Sequence, residues 1–207
     1  MTRPIVFIGD SITDAGRRDD PDQLGHGYVR LVSEALAARG DDRPIVNTGI
    51  SGDRAADLRA RWERDALAHD PELLSVYVGV NDTWRRYDAG DPTPVEAFES
   101  TYRSLLAEAQ DRLAPRMILV EPFVLPVTAE QERWGAEDLD AKRAVVARLA
   151  AEFGAAFVPL QSLLLEAADQ QGAGRAGRAA LAADGVHPTA LGSELIAGGW
   201  LAAEATL

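Results

Sequence analysis

The chain has 207 residues, which fits a single domain over residues 1–207, because a core of this size buries most of the apolar surface of its unfolded chain. Its 33 acidic and 21 basic residues give a net charge of −12, which opposes binding to nucleic acid phosphates and to anionic lipid surfaces. The absence of cysteine excludes disulfides and thiol catalysis.

Short apolar runs alternate with longer amphipathic runs along the chain, a pattern typical of a parallel sheet covered by helices on both faces. The runs rich in Val, Ile and Leu predict strands at residues 4–8, 44–47, 73–78, 117–121 and 156–159. The amphipathic runs predict helices at residues 28–39, 53–68, 94–113, 137–153 and 189–203. Asp53 and Thr189 are predicted to open two of these helices. The sequence therefore predicts a doubly wound α/β domain with five parallel strands.

Two segments do not fit the alternating pattern. Residues 121–136 are irregular, and residues 170–185 are rich in Gly and Ala. Both are predicted to be loops that shape the mouth of a site. The chain enters its first strand directly after Pro4, without an apolar leader, and no apolar stretch approaches the roughly 20 residues that span a bilayer. We therefore expect a cytoplasmic protein that does not bind membranes.

A serine stands directly after the first predicted strand, in Gly9-Asp10-Ser11, where a short turn can expose its hydroxyl above the sheet edge. Near the other end of the chain, Asp184 and His187 are three residues apart. One turn can bring that carboxylate to the near ring nitrogen and leave the far nitrogen free to take the serine proton. These residues predict a Ser-His-Asp triad for acyl transfer.

Acyl transfer also needs donors aimed at the oxygen that becomes negative in the tetrahedral intermediate. Loops at the carboxyl ends of parallel strands converge on one crevice, which predicts that the first three loops meet. The backbone N–H groups of Ser11 and Gly52 and the side-chain amide of Asn81 are the predicted oxyanion donors. Asp10 and Asp14 are expected to fix the first turn and cap its helix.

These four positions, Ser11, Gly52, Asn81 and His187, resemble the defining residues of the SGNH hydrolases, also called the GDSL lipase and esterase family. The resemblance spans nearly the whole chain, with Ile12 where the name GDSL has Leu. It implies a flavodoxin-like, three-layer α/β/α fold and a serine esterase that works through Ser11, His187 and Asp184. It also implies that no metal or other cofactor is required.

A narrower resemblance concerns residues 7–16, 27–29, 47–53, 58–63 and 81–88, which are similar to the intracellular bacterial acetyl xylan esterases of that superfamily. It implies a small-molecule ester substrate, an acetylated xylo-oligosaccharide, and a homo-oligomer. Those enzymes tend to have an aromatic residue just before the catalytic aspartate, where this chain has Ala183. The sugar-binding face is therefore expected to differ.

His26, Trp84, Tyr87 and Trp134 are candidate substrate-binding residues, since each follows or approaches a predicted site loop. The alternative for the aromatic residues is packing against a neighbouring loop or a second subunit, for which Trp84, Trp134 and Trp200 are candidates. The three histidines are scattered, so no metal site is expected. Three functions remain open: a carbohydrate acetylesterase, a short-chain esterase, thioesterase or lysophospholipase, and a non-catalytic binder of small molecules.

Overall fold

The computed structural model describes residues 2–207, in which five parallel strands form one sheet. In chain order these are β1 (Ile5–Gly9), β2 (Ile45–Asn47), β3 (Leu73–Tyr77), β4 (Arg116–Val120) and β5 (Ala156–Val158). Their order across the sheet is β2-β1-β3-β4-β5. β1 and β3 are buried along their whole length, which explains their nearly continuous apolar sequences. All five predicted strands are present, with ends that differ by at most one residue.

Helices connect the strands and continue to the carboxyl terminus. They are α1 (Ser11–Asp14), α2 (Tyr28–Ala38), α3 (Ala55–Asp65), α4 (Val80–Asp88), α5 (Val95–Arg112), α6 (Gln131–Trp134), α7 (Asp140–Glu152), α8 (Leu160–Gln171), α9 (Arg175–Leu181) and α10 (Ala190–Glu204). A π-helical turn, Gly135–Leu139, joins α6 to α7. The five predicted helices correspond to α2, α3, α5, α7 and α10.

The sheet divides the interior into two apolar cores. On one face β1 packs through Phe7 against α2, α8 and α10, and Trp200 of α10 donates a hydrogen bond to Ser75 Oγ at 2.9 Å. On the other face Ile8 packs among α3, α5 and α7, where Trp62 of α3 is buried. The expected three-layer α/β/α, flavodoxin-like fold is thus confirmed.

Five helices were not predicted: α1, α4, α6, α8 and α9, of which α6 lies within residues 121–136, predicted as a loop. α4 and α8 follow β3 and β5 closely, and α9 lies within residues 170–185, which were wrongly predicted as a loop. α9 packs tightly on α8 because Gly177 has no side chain: a Cβ there would lie 2.1 Å from the Ala168 carbonyl oxygen. The Gly and Ala content of this segment reflects close helix packing.

The helix openings are partly as expected. Thr189 caps α10 by accepting a hydrogen bond from the Gly192 N–H, which confirms its predicted role. Asp53 does not cap α3; Arg54 precedes the first residue of α3, and the Asp53 carboxylate instead pairs with Arg61. Within residues 2–207, none of the helices combines the length and apolarity needed to cross a bilayer.

Candidate active site

Ser11 lies just beyond the carboxyl end of strand β1, as the first residue of α1. The Asp10 side chain caps this helix by accepting a hydrogen bond from the Ile12 N–H at 3.0 Å, which confirms its expected role. The first N–H groups of a helix have no partner inside it and remain available to other acceptors. The N–H of Ser11 is therefore one of the N–H groups at the start of α1 that can donate to another acceptor.

Three side chains from opposite ends of the chain form a hydrogen-bonded series. Ser11 Oγ lies 2.9 Å from His187 Nε2, and His187 Nδ1 lies 2.6 Å from Asp184 Oδ2. With its proton on Nδ1, the imidazole donates to the carboxylate and presents the Nε2 lone pair to the serine hydroxyl. The structure thus brings the three predicted triad residues together in the order serine hydroxyl, imidazole and carboxylate.

Asp184 lies in the loop between α9 and α10, and hydrogen bonds hold both of its carboxylate oxygens. Oδ1 accepts the backbone N–H groups of Val186 at 2.9 Å and His187 at 2.7 Å. Burial acts to raise the pKa of Asp184, but the hydrogen bonds from the His187 side chain and from the two backbone groups hold that pKa below its ordinary value. The carboxylate is therefore charged at neutral pH and oriented toward the imidazole.

Gln131, at the start of α6, anchors the same loop. Its Nε2 donates to the Asp184 carbonyl at 2.7 Å, and its Oε1 accepts the Val127 N–H at 3.0 Å. Gly185 has φ +85°, and a Cβ at this position would lie 2.7 Å from the Gln131 side chain, so both its conformation and the space demand glycine. Sequence reasoning missed Gln131, because a single glutamine in an irregular segment carries no pattern.

The other two predicted donors, Gly52 and Asn81, follow strands β2 and β3. Gly52 has φ +88°, a conformation that favours glycine, and a Cβ there would meet no atom within 4 Å. Asn81 lies in the first turn of α4 with 3% of its surface exposed, and its Nδ2 donates to the Asp53 carbonyl at 3.1 Å. An amide nitrogen carries two hydrogens, so the second remains for another acceptor.

Side chains tie the first and second site loops together. Asp14 Oδ2 accepts hydrogen bonds from the Ser51 hydroxyl at 2.8 Å and from the Ser51 N–H at 3.1 Å. Asn47 Nδ2 donates to the Thr13 carbonyl at 2.7 Å. Asp14 therefore supports the turn that carries Gly52, and the loops after β1 and β2 meet as expected.

Two buried carboxyl groups lie directly next to the candidate catalytic groups in sequence. Burial raises the pKa of Asp10 to about 7, against the opposing effect of the hydrogen bond from Ile12. Burial likewise raises the pKa of Asp82 to about 7, although the Ala55 N–H donates to its Oδ2 at 3.1 Å. In each carboxyl group the second oxygen has no hydrogen-bond partner. Both groups are therefore partly protonated near neutral pH.

A cavity of about 250 Å³ opens beside the serine and histidine. Its lining residues are Ser11, Ile12, Ala15, His26, Gly27, His187, Pro188 and Ser193. A groove of about 300 Å³ lies elsewhere, between α2 and the chain around Asp41, and contains none of the candidate catalytic residues. The smaller cavity is therefore the one beside Ser11 and His187, and its lining does not include Gly52 or Asn81. Residues 2–207 contain no group of three or more histidine and acidic side chains arranged to hold a metal ion.

The candidate substrate-binding residues have different environments. His26 is exposed and lines the cavity. Trp84 is half-buried, with its ring centroid 5.9 Å from that of His187. Trp134 packs behind Trp84 at 5.6 Å, and Tyr87 stacks on Trp134 at 5.3 Å.

The expected direct contact of Trp134 with substrate is wrong, because this side chain is only 1% exposed and is covered by its aromatic neighbours. Trp200 is completely buried between the sheet and α10, so it is not a surface residue available to a second subunit. Two of the three tryptophans considered for subunit contacts are thus core residues.

The sequence matches one protein-family model and is similar to curated esterases. The sequence model of the GDSL-like lipase/acylhydrolase family matches residues 7–195. An acetylxylan esterase from Geobacillus stearothermophilus is 36% identical over 208 residues, covering 95% of this chain and 91% of the relative. The esterase TesA from Pseudomonas aeruginosa is 35% identical over 81 residues, or 39% of this chain and 38% of that protein.

Solved structures of esterases and hydrolases also resemble this chain over nearly its whole length. The crystal structure of an acetylxylan esterase from Geobacillus stearothermophilus superimposes with a TM-score of 0.86 at 34% identity, covering 98% of this chain and 96% of that one. An α/β hydrolase enzyme from the metagenome of Lake Arreo, Spain, also has a TM-score of 0.86, at 30% identity, covering 98% and 95% of the two chains. The similarity therefore extends over the complete α/β/α architecture.

Proposed function

Because the chain belongs to the GDSL-like lipase/acylhydrolase family and is a carboxylic ester hydrolase, we propose that it is a serine esterase with Ser11, His187 and Asp184 as its catalytic triad. Its proposed substrates are short acyl esters, above all the acetyl groups of xylo-oligosaccharides or other carbohydrates. The observation that carries the proposal is the position of His187, which lies 2.9 Å from Ser11 Oγ and 2.6 Å from Asp184 Oδ2.

The first half of the reaction forms an acyl-enzyme. Ser11 Oγ attacks the ester carbonyl carbon while His187 Nε2 takes the hydroxyl proton. The carbonyl oxygen becomes negative and is stabilised by the N–H groups of Ser11 and Gly52 and by the Asn81 amide. The intermediate then collapses, the bond to the alcohol breaks, and His187 returns the proton to the departing alkoxide.

The second half releases the acid. His187, neutral again, takes a proton from water as its oxygen attacks the acyl carbon, and the same donors stabilise the second tetrahedral intermediate. Collapse of this intermediate expels Ser11, which recovers its proton from His187. Asp184 orients the imidazole and stabilises its charged form in both halves, and its lowered pKa keeps it ionised throughout the neutral range.

Several observations support an acetyl ester of a sugar as substrate. The cavity is small and has the side chain of Ala15 and the bare backbone of Gly27 in its wall. Trp84 beside His187 and His26 in the cavity wall are proposed to contact the alcohol part, since aromatic faces and imidazole groups suit hydroxylated rings. The similarity to an acetylxylan esterase over 95% of the chain supports the same substrate class. Ala183 provides no aromatic side chain just before Asp184, so we propose that the sugar-binding face differs there from that of the acetyl xylan esterases.

Release of acetate from acetylated xylo-oligosaccharides is the direct test, with Ser11→Ala as the matched inactive control. We expect acetate release from the wild type and labelling of Ser11 by a serine-directed phosphonate, with both lost in the control. Acetyl, butyryl and octanoyl esters of one chromogenic alcohol measure the acyl preference. Faster turnover of the octanoyl ester, of an acyl thioester or of a lysophospholipid would replace the carbohydrate acetylesterase with that activity.

A further inference from the structure

A buried arginine lies beneath the loops that carry the candidate oxyanion donors. Arg61 is on α3, and its side chain is 7% exposed. Its N–H groups donate to two backbone carbonyls and two carboxylates beneath the loops, so the buried guanidinium is not presented to a bound ester. Any influence of Arg61 on the reaction must therefore pass through the groups to which it is hydrogen-bonded.

The guanidinium of Arg61 connects two of the loops at the sheet edge. Nη2 donates to the carbonyl of Gly9 at 3.0 Å, and Nη1 donates to the carbonyl of Thr48 at 2.6 Å. Gly9 is the last residue of β1 and stands two residues before Ser11, whereas Thr48 directly follows β2. One planar group thus fixes the distance between the carboxyl ends of two adjacent strands.

The same guanidinium reaches the third donor through Asp53. Arg61 Nε donates to Asp53 Oδ2 at 2.7 Å, and the Asp53 carbonyl oxygen accepts the hydrogen bond from Asn81 Nδ2 at 3.1 Å. Asp53 follows Gly52 directly in sequence. Clamping the Asp53 side chain therefore sets both the peptide that follows Gly52 and the orientation of the Asn81 amide.

Only an arginine can make this set of contacts. The guanidinium offers five N–H donors in a rigid plane, whereas a lysine ammonium offers three on a flexible stem. Arg61 is further held by Asp65, whose Oδ2 accepts from Nη1 at 3.0 Å. Asp65 is the last residue of α3, and its carboxylate accepts hydrogen bonds from Arg61 and Arg64, so its contact with Arg61 is separable from those with the site loops.

We propose that Arg61 is a positioning residue that holds the donors of Ser11, Gly52 and Asn81 in register for the negative oxygen of the tetrahedral intermediate. The inference rests on the proposed esterase function and deepens it. Since the donors matter most when the oxygen is charged, a loosened register lowers kcat and leaves KM nearly unchanged.

Arg61→Lys is the main test because it keeps the buried charge while losing the planar fork. Kinetics with a chromogenic acetate ester are normalised to sites titrated by a serine phosphonate, which removes any unfolded fraction. We expect kcat per titrated site to fall about 10-fold to 10²-fold, with KM within about 3-fold of the wild type. A boronic acid, whose adduct with Ser11 carries a negative oxygen, should lose affinity by the same factor as kcat/KM.

Asp65→Asn is the matched control, and we expect its kcat to stay within about 2-fold of the wild type, because the amide can still accept from Arg61 and the three contacts of Arg61 with the site loops remain. Asp53→Asn is the second test variant if Arg61→Lys does not fold, with an effect in the same direction. Unchanged kcat and boronate affinity in the folded test variant, or an equal loss in Asp65→Asn, would overturn the inference. Absence of turnover and of Ser11 labelling in the wild type would instead overturn the proposed function, and the inference with it.

Discussion

Three aspartates, Asp10, Asp53 and Asp82, each stand next in sequence to one of the three candidate oxyanion donors. Burial raises the pKa of all three carboxyl groups. The negative charge of Asp53 is compensated by the contact with Arg61. Within residues 2–207 no such cation contacts Asp10 or Asp82, and the raised pKa values of these two keep a fraction of each carboxyl group protonated and neutral near pH 7. Negative charge near the oxyanion would oppose its formation, so a neutral carboxyl group suits these positions better than a carboxylate.

The pH dependence of stability tests the protonation of Asp10. Its pKa is about 7 in the folded chain, above the ordinary value of 3.8, so the folded state binds more protons than the unfolded state between these limits. The stabilising contribution of Asp10 is full below pH 3.8 and is lost as the pH rises through 7. Asp10→Asn keeps an oxygen for the Ile12 N–H and cannot titrate, so its stability should decline less over this range.

Urea unfolding of wild type and Asp10→Asn from pH 4 to pH 8 measures this difference. We expect the difference in free energy of unfolding, variant minus wild type, to increase by a few kcal/mol from pH 4 to pH 8, since one pKa unit corresponds to about 1.4 kcal/mol. The unpaired amide of the variant adds a cost that does not depend on pH and leaves the slope unchanged. Parallel stability curves for the two proteins would contradict a raised pKa of Asp10.

Asn81 offers a second test at the level of one side chain. Asn81→Ala removes the amide and should lower kcat about 10²-fold to 10³-fold, as expected for loss of one oxyanion donor. The variant also loses the contact with the Asp53 carbonyl, which should cost about 1 kcal/mol of stability and leave the fold intact. Thermal melting and kcat with an acetate ester measure the two effects. Full turnover in a folded variant would exclude Asn81 from the oxyanion site.

At the level of elements, a buried ion pair between α7 and the preceding π-helical turn is hydrogen-bonded to α4, the helix that carries Asn81. Lys142 of α7 is completely buried, pairs with Asp138 of the preceding π-helical turn, and donates to the Asp82 carbonyl at 3.2 Å and to Thr83 Oγ1 at 3.3 Å. Thr83 in turn donates to Asp138 at 2.7 Å. The π-helical turn therefore serves to aim a carboxylate at the base of α4.

Breaking this pair should be costly, whereas replacing both members should not. Lys142→Met removes the buried cation and leaves Asp138 with the half-exposed Arg86, 4.0 Å away, so the variant is expected to lose about 3 kcal/mol of stability. Adding Asp138→Leu removes the poorly compensated buried charge, so the double variant should recover most of the loss. Denaturant unfolding of both variants gives the comparison. A single variant as stable as the wild type, or a double variant less stable than the single one, would contradict this account.

The sheet and five of the helices could be predicted because their signals are local. Strand β1 is an uninterrupted apolar run, and Thr189 is a typical helix cap. The proximity of the proposed triad residues could also be predicted, since Ser11 follows a strand and Asp184 and His187 share one turn. Arg61, Gln131 and Lys142 could not be predicted, because each acts through contacts with residues distant in sequence. Trp134 was misplaced, since aromatic residues in a core and in a binding face look alike in sequence.

At the level of the whole molecule, the surface is acidic and has few exposed apolar groups. The net charge is −12, and within residues 2–207 the large hydrophobic side chain left exposed is Leu207. Copies of such a chain repel one another at long range, and salt screens this repulsion over about 8 Å at physiological ionic strength. We propose that the chain forms the homo-oligomer that its resemblance implies, and we expect this oligomer to associate more tightly as salt is added. Light scattering measures the molar mass at 20 mM and 500 mM salt, where the screening lengths are roughly 20 Å and 4 Å. The mass of a monomer at both salt concentrations would exclude the oligomer.

The same acidic surface should discriminate between neutral and charged substrates. An acetylated oligosaccharide that carries a uronic acid is repelled by the net charge of −12, whereas a neutral acetylated xylo-oligosaccharide is not. We expect kcat/KM for the acidic substrate to rise with added salt, with kcat unchanged, because salt screens only the approach of the two negative molecules. The neutral substrate of equal length is the control and should show no salt dependence. Equal salt responses of the two substrates would mean that the charges lie too far from the cavity to affect binding, and that residues at its mouth, such as His26, determine which esters enter.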